Sequence, residues 1–322
     1  MLDFSRFNSL VSIFMYFSTN DKCLRFLEQE RWGKVVVCPY CGHTHVHHRS
    51  NGRWQCYTCH KSFSVLQGTI FENTKIPLVK WFAAMYLISS HKKGIASTQL
   101  ARDIAVTQKT AWFILHKVRT LYKQDESVLL SGTVQCDEMY FGGKETNKHE
   151  CKKVQGTQGR SLKTKTPIFG MMEIGSYIDE EGNKHLRTYV RAMIMPDSKR
   201  DTIYPLIERY IQYGSHIITD ELPAYHTIDE SRHYTHSIVN HSLKEFSVDG
   251  ITTNGIEGFW GLFRRMVLGV YHYVSKRYLS RYIDEMVYRW NTSHLEPMQR
   301  FEYMFSAAIG KCQYKDVKCV FN

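Results

Sequence analysis

The sequence has no apolar run of the roughly 20 residues that a membrane-spanning helix requires. Its most suggestive run, Leu10–Phe17 (LVSIFMYF), is far too short. Asp3 precedes that run and no small-residue cleavage site follows it, so a secretory signal peptide is not expected. The cysteines lack the even, paired pattern of a secreted disulfide framework. There are 9; four fall in two CxxC pairs, and Cys23, Cys136, Cys151, Cys312 and Cys319 show no pairing. This usage points to metal rather than disulfides and to a reducing cytoplasm. Acidic charge is also in short supply: 31 Asp and Glu stand against 42 Lys and Arg, a net charge of +11 with a pI near 9.1. Such an excess favours a polyanionic partner, most simply nucleic acid; a merely basic soluble protein is the competing reading.

A length of 322 residues suggests about two domains with room for a small third, and 43% hydrophobic residues with 20 Tyr and 17 Phe supply the cores. Residues 1–33 read as one or two amphipathic helices, with Cys23, Leu24, Phe26, Leu27 and Trp32 near helical spacing and Asn20-Asp21 as a cap. Residues 34–70 carry Cys38-x2-Cys41, a fourteen-residue gap, then Cys56-x2-Cys59. Each CxxC is a tight knuckle that points two thiolates to one side, and two knuckles close a tetrahedron around structural Zn²⁺. Asn51-Gly52 between them signals a hairpin turn, and Trp54, Tyr57 and Phe63 supply apolar backing. The weaker alternative takes one ligand from His43, His45, His47, His48 or His60, which otherwise read as surface or phosphate-contacting residues.

Residues 71–125 are helical by pattern. Val79, Trp81, Phe82, Met85, Tyr86 and Ile88 form an apolar face; Gly94-Ile95-Ala96 interrupts it. Ser97 then opens one helix and Thr107 the next, at helix-turn-helix spacing, with Gln108, Lys109, Thr110 and Phe113 near the groove-facing start of the second. Residues 123–130 read as a linker.

The stretch Val134–Gly143 (VQCDEMYFGG) is a β-branched and apolar strand that runs into two carboxylates, Asp137 and Glu138. A carboxylate in such a strand is costly unless a cation or a hydrogen-bond network holds it. A basic, glycine-containing loop follows, with Lys144, Lys148, Lys152, Lys153, Arg160, Lys163 and Lys165, and reads as a segment that orders on phosphates. Pro167–Gly175 and His185–Met195 read as strands joined by a turn at Asp179–Gly182, Asp201–Tyr213 as a helix, and Ser215–Asp220 as a strand ending in an acid. Asp220 is either a metal ligand or the cap of the next helix. Ser237–Asn240 reads as a short strand with His241 after it. From Ile256 a helix places Glu257, Gly261 and Arg264 on one face, and Ser275–Asn291 is a last long helix. After Pro297 the tail carries Phe301, Met304 and Phe305 for docking and then frays.

This order of elements is that of an RNase H-like α/β domain over residues 130–295, preceded by the zinc ribbon and the helix-turn-helix region and followed by a tail at 296–322. Three carboxylates on a first strand, a later strand end and a C-terminal helix suit two divalent cations, Mg²⁺ or Mn²⁺, which prefer hard oxygen ligands. In RW…VVCPYCG, CDEMYFGGK, TDELPAY, VNHSLKEF, TTNGIEGFWGLFRRMVLGVYH and YIDEMVYRWN, nearly the whole chain resembles the DDE transposases of bacterial insertion sequences, in the ISXO2-like group with an N-terminal zinc ribbon. The resemblance implies Mg²⁺-dependent hydrolysis at transposon ends and strand transfer into target DNA. It places Asp137 and Asp220 as the first two acids, Glu257 as the third and Arg264 as the basic residue seven positions on. Asn254 competes for the third place, and His241 and Asn254 are candidates for positioning metal or phosphate. It further implies double-stranded DNA as partner, a dimer or larger assembly on DNA, and, in a bacterium, a nucleoid-associated cytoplasmic protein. A catalytically inactive or domesticated DNA-binding derivative is the alternative.

Overall fold

A computed structural model describes residues 9–143, 149–154, 157, 161–178, 184–239 and 252–309. His241, most of the basic loop after Gly143, the turn expected at Asp179–Gly182 and the tail from residue 310 lie outside the described residues. The chain forms two compact units, Met1–Lys123 with Thr292–Asn322, and Gln124–Asn291.

The first unit opens with α1 (Leu10–Tyr16) and α2 (Asn20–Trp32). Ser9 and Ser12 exchange hydrogen bonds in a capping box at the start of α1. Thr19, not the expected Asn20-Asp21 pair, caps α2 by accepting from the Lys22 N–H. Its extended backbone makes it the last residue outside the helix, where a side-chain oxygen reaches the orphan N–H groups. Asn20 instead accepts from the Leu78 N–H at 2.9 Å and so ties α2 to the next long helix. Between them lies a three-stranded antiparallel sheet of β1 (Val46–His48), β2 (Trp54–Cys56) and β3 (Ser62–Phe63), in that order. The Asn51-Gly52 turn forms as expected: Gly52 sits at φ +75°, and the Arg49 N–H donates to the Arg53 carbonyl across it. Trp32 meets Trp54 and Phe63 edge-on, with centroids 6.0 and 5.9 Å apart.

The helix α3 (Leu78–Ser90) is buried on nearly every side. Phe82 on α3 packs edge-to-face against Phe17 (4.7 Å) and Phe305 (4.9 Å). Phe305 belongs to α10 (Pro297–Ala308), a helix laid on α3 that buries Phe301, Met304 and Phe305, the three residues expected to dock. The pair α4 (Ser97–Asp103) and α5 (Gln108–Arg119) packs side by side. Thr107 caps α5 through the Thr110 N–H. Ser97 does not cap α4; it is the first helical residue, and its Oγ accepts from Gln108 Nε2 at 3.0 Å across the pair. Gln108 and Lys109 are exposed, whereas Phe113 is half-buried with its ring near Trp81.

The second unit is built on a five-stranded sheet in the order β6-β5-β4-β7-β8, from β4 (Thr133–Phe141), β5 (Thr166–Ile178), β6 (Lys184–Ile194), β7 (His216–Thr219) and β8 (Thr235–Ile238). β5 is antiparallel to both β4 and β6, while β7 runs parallel to β4 and β8 parallel to β7. Strand alternation splits the apolar residues of β4 between two cores. Val134 and Cys136 face α6 (Arg200–Tyr210) and α7 (His226–Ser231) through Ile203, Ile207 and Ile228. Met139 faces α8 (Asn254–Met266) and α9 (Leu279–Asn291) through Ile256, Phe259, Leu279 and Ile283. The helix expected over 201–213 ends at Tyr210, because Ile211 joins a parallel bridge to Leu130. The last long helix begins at Leu279, after a 3₁₀ turn at Lys276–Tyr278. Among the described residues no helix is long and apolar enough to cross a membrane.

The approach of α8 to the sheet is close enough to require glycine at position 170. A Cβ there would fall on the Trp260 indole and within 3.0 Å of Ile256 Cδ1. Both neighbours are buried, so neither side chain can swing aside into solvent. Gly170→Ala is therefore expected to destabilise the second unit by about 2 kcal/mol through overpacking, read from urea denaturation; an unchanged midpoint would show that α8 can shift.

Candidate active site and zinc centre

Two groups of side chains among the described residues converge as metal ligands do. In the first unit the thiols of Cys38, Cys41, Cys56 and Cys59 lie within 4.8 Å of one another. The knuckles interlock: Cys38 Sγ is 3.6 Å from Cys59 Sγ, and Cys41 Sγ is 3.6 Å from Cys56 Sγ. Tetrahedral ligands about 2.3 Å from zinc sit about 3.8 Å apart, so the four thiols fit the ion with no histidine needed. All four positions are filled by protein, which is the closed arrangement of a structural site.

The second group is at the C-terminal end of β7. Here Asp137 and Glu138 of β4 and Asp220 just past β7 bring carboxylate oxygens within 4.8 Å of one another. The parallel register explains the meeting of residues so far apart in sequence. Gln135 pairs with Ile218, and two residues further on Asp137 comes level with Asp220. Asp220 Oδ1 also accepts from the Leu222 N–H at 3.0 Å, so the acid both faces Asp137 and braces the turn after β7. Glu138 points to the other side of the strand, and its carboxylate accepts a hydrogen bond from the hydroxyl of Tyr225, a fully buried ring. Burial, then the charge of Glu138, push the Tyr225 phenol well above its usual range, so it stays a donor.

Burial pushes the Asp137 carboxyl up to about 7, with the negative charges of Asp220 and Glu257 adding to the effect. The Glu138 N–H, donating to Asp137 Oδ1 at 2.8 Å, opposes it. The buried Trp260 N–H also favours the charged form, but falls short of hydrogen-bond geometry with any acceptor. Glu257 is thus within electrostatic reach of Asp137 without joining the tight group. It lies on the exposed side of α8, and its Oε1 accepts from Thr253 Oγ1 at 3.0 Å. Arg264, seven residues on, is exposed in the last turn of the same helix. Asn254 is the first residue of α8, exposed, with its N–H donated to Thr252 Oγ1.

The sequence names Glu138 as a carboxylate of the strand but assigns it no role, and it assigns none to Tyr225 or Gln135. Alternation assigns Glu138 to the face opposite Asp137, and only its adjacency to Asp137 hinted at a shared role. Gln135 gave no signal. It is a buried amide that donates from Nε2 to the Thr252 carbonyl (2.6 Å) and accepts from the Ile256 N–H (3.0 Å), pinning the start of α8 to β4.

The arrangement fits what comparison with known proteins finds. The model of the ISXO2-like transposase domain matches residues 129–291, and that of a transposase zinc-ribbon domain matches residues 18–62. The chain belongs to the ISXO2-like transposase family. This transposase is 27% identical over 279 residues (83% of its own length and 89% of the relative's) to a protein described as uncharacterised in transposable element ISH50 of Halobacterium salinarum. It is 26% identical over 111 residues, 34% of its length and 88% of the relative's, to an uncharacterised transposase-like protein of Haemophilus influenzae.

Two predictions follow from the ionisation and ligand chemistry of the transposase. The native Asp137 carboxyl titrates near 7 against 3.8 when unfolded. The folded state therefore holds the extra proton between these values, and stability falls as pH rises from about 4 to about 7, by at most about 4 kcal/mol. Urea denaturation without divalent cations is expected to show this slope in wild type and not in Asp137→Asn; parallel pH profiles would contradict it. Stripping zinc with a chelator should expose the backbone of 38–63 to hydrogen exchange while the second unit stays protected, because the ribbon's apolar core is too small to hold without its ligand cluster.

Proposed function

We propose that this transposase cuts DNA at the ends of its element and transfers the resulting 3′-hydroxyls into target DNA, using Asp137, Asp220 and Glu257 to hold Mg²⁺ or Mn²⁺. The observation that carries the reading is the convergence of Asp137, Glu138 and Asp220, with Glu257 close enough to raise the Asp137 pKa further. The donor set is all hard oxygen and rich in negative charge, which fits a divalent cation of this class. Such ions, when bound, supply charge stabilisation to the attacking and leaving oxygens of a phosphodiester.

The chain's own residues prepare the site. Asp137, protonated up to near neutrality, would have to give up that proton to hold a cation, which would couple cation binding to pH. The Leu222 N–H fixes Asp220, and Tyr225 orients Glu138, the latter as a supporting rather than a primary ligand. Gln135 positions the helix that carries Glu257, and Gly255 leaves room for its amide: a Cβ there would lie 2.6 Å from Gln135 Oε1. Arg264 suits a phosphate contact on the same helix, with Asn254 and His241 as further candidates for positioning the scissile phosphate.

An RNase H-like sheet is supported by the strand order and by β5 alone running against the other four. The α4–α5 pair, with Gln108 and Lys109 exposed at the start of α5, supports a helix-turn-helix that contacts DNA. Holding two element ends at once calls for at least a dimer on DNA. The domain plan is then a helical segment to residue 33, a ribbon to 70, the helix-turn-helix region to 125 and the catalytic domain over 130–295.

The test is cleavage of a labelled duplex carrying the DNA that flanks the gene, with Mg²⁺. Asp137→Asn should lower nicking by about 1,000-fold, or about 4 kcal/mol, and leave duplex binding unchanged. Binding without metal-dependent nicking in wild type would leave a DNA-binding protein that has lost its chemistry. Gln135→Leu is expected to lower cleavage by 10-fold or more, about 1.4 kcal/mol, with binding intact; wild-type cleavage in that variant would remove Gln135 from the positioning role.

A further inference from the structure

The zinc ribbon has a surface that the cleavage chemistry does not use. From Arg31 to Phe71 the sequence contains no Asp or Glu, while it carries Arg31, Lys34, Arg49, Arg53 and Lys61 and five histidines. Four thiolates on one zinc ion bring roughly two negative charges, which leaves the segment positive.

The sheet sorts these residues by face. Pairing of β1 with β2 turns Val46 and Cys56 toward the ribbon's small core, so His45, His47, Gln55 and Tyr57 share the other face. The Tyr57 ring lies over both imidazoles, 4.5 Å from His45 and 4.5 Å from His47, tilted by 34° and 32°. Stacking fixes the ring, yet Tyr57 remains 48% exposed. Arg53 is fixed as well: its Nε donates to Ser62 Oγ at 3.1 Å and its NH2 group to the Ser62 carbonyl at 3.2 Å. Elsewhere on the ribbon, next to Ser62 in sequence, the Lys61 ammonium stands 4.8 Å above the Tyr40 ring, itself 44% exposed.

Exposed aromatic rings and one-signed cations held by neighbouring groups are what a nucleic-acid backbone engages: the cations take phosphates and the rings pack on sugars. An acid-free surface carries no repulsion against a polyanion, and rigid side chains lose little entropy on binding. We propose that the ribbon, through Arg53, Tyr57 and Lys61, binds the sugar–phosphate backbone of duplex DNA, as a second contact separate from α4 and α5. The proposal takes DNA as partner from the transposase reading and adds where a sequence-independent share of the affinity resides.

The test uses the full-length protein and a labelled duplex of element-flanking DNA, titrated at increasing KCl. Wild type is compared with R53A/Y57A/K61A, after zinc content and thermal melting are checked. The variant is expected to bind about 10-fold or more weakly at low salt, with a log K against log salt slope smaller by about 2, one unit for each cation removed. An unchanged affinity and slope would overturn the proposal. Should the triple variant lose zinc, R53Q/K61Q, which leaves the ring stack intact, carries the same slope test. Tighter binding to a single strand than to the duplex, lost in Y57A, would overturn the duplex assignment in favour of base stacking. Binding by wild type and Asp137→Asn alike, with no effect of the ribbon variants, would sink this inference alone. No binding by any of them would sink DNA as the partner and the transposase chemistry with it.

Discussion

Three carboxylates held within 4.8 Å of one another at the end of a parallel strand pair repel each other, and the half-buried setting magnifies that repulsion. The second unit is arranged so that this cost is incurred at one place and offset around it. β4 and β7 run parallel in a register that sets Asp137 level with Asp220. The first residues after β7 fold back to donate an N–H to Asp220, a buried phenol is aimed at Glu138, and a backbone N–H is given to Asp137. Burial raises the Asp137 pKa, the charges of Asp220 and Glu257 add to it, and the Glu138 N–H offsets only part; a site in that condition gains most from a cation.

The helix carrying Glu257 shares in this constraint. Its position is set by close packing rather than by a salt bridge: Gly170 admits the Trp260 ring, Gly255 admits the Gln135 amide, and that amide makes two hydrogen bonds to the chain at the start of α8. Each contact places a group on β4 or β5 against α8 or the residues just before it, so the strand bearing Asp137 and the helix bearing Glu257 are packed directly together. The first unit solves a different problem. The ribbon has a core too small to fold alone and relies on four thiolates, whereas the helices around it build an aromatic core from Phe17, Phe26, Phe82 and Phe305, the last of them supplied by α10 from the far end of the chain.

Local pattern carried some of this plainly. Two CxxC pairs name their own ligands, because a knuckle is a property of four consecutive residues. The Asn51-Gly52 turn and the Thr107 cap are local in the same sense. Asp137, Asp220 and Glu257 stood out as acids at strand ends or on a helix face, and the family resemblance rested on the motifs around them. Where local signals were ambiguous, long-range packing decided. Asn20 looked like a cap but was taken by Leu78, 58 residues away, and Ser97 gave up its cap for a bond to Gln108.

What the sequence by itself determined is therefore the identity of the zinc ligands, the alternation of the strands and the presence of acids in strand-like settings. Each depends only on neighbours a few residues apart. Tertiary structure decided that Glu138 turns to Tyr225, that Gln135 pins the start of α8, that α10 completes the helical core and that the β4–β7 register sets Asp137 level with Asp220. Those outcomes rest on sheet register and on helix-to-sheet distance, which are set by the packing of whole faces and so are written in no single segment of the chain.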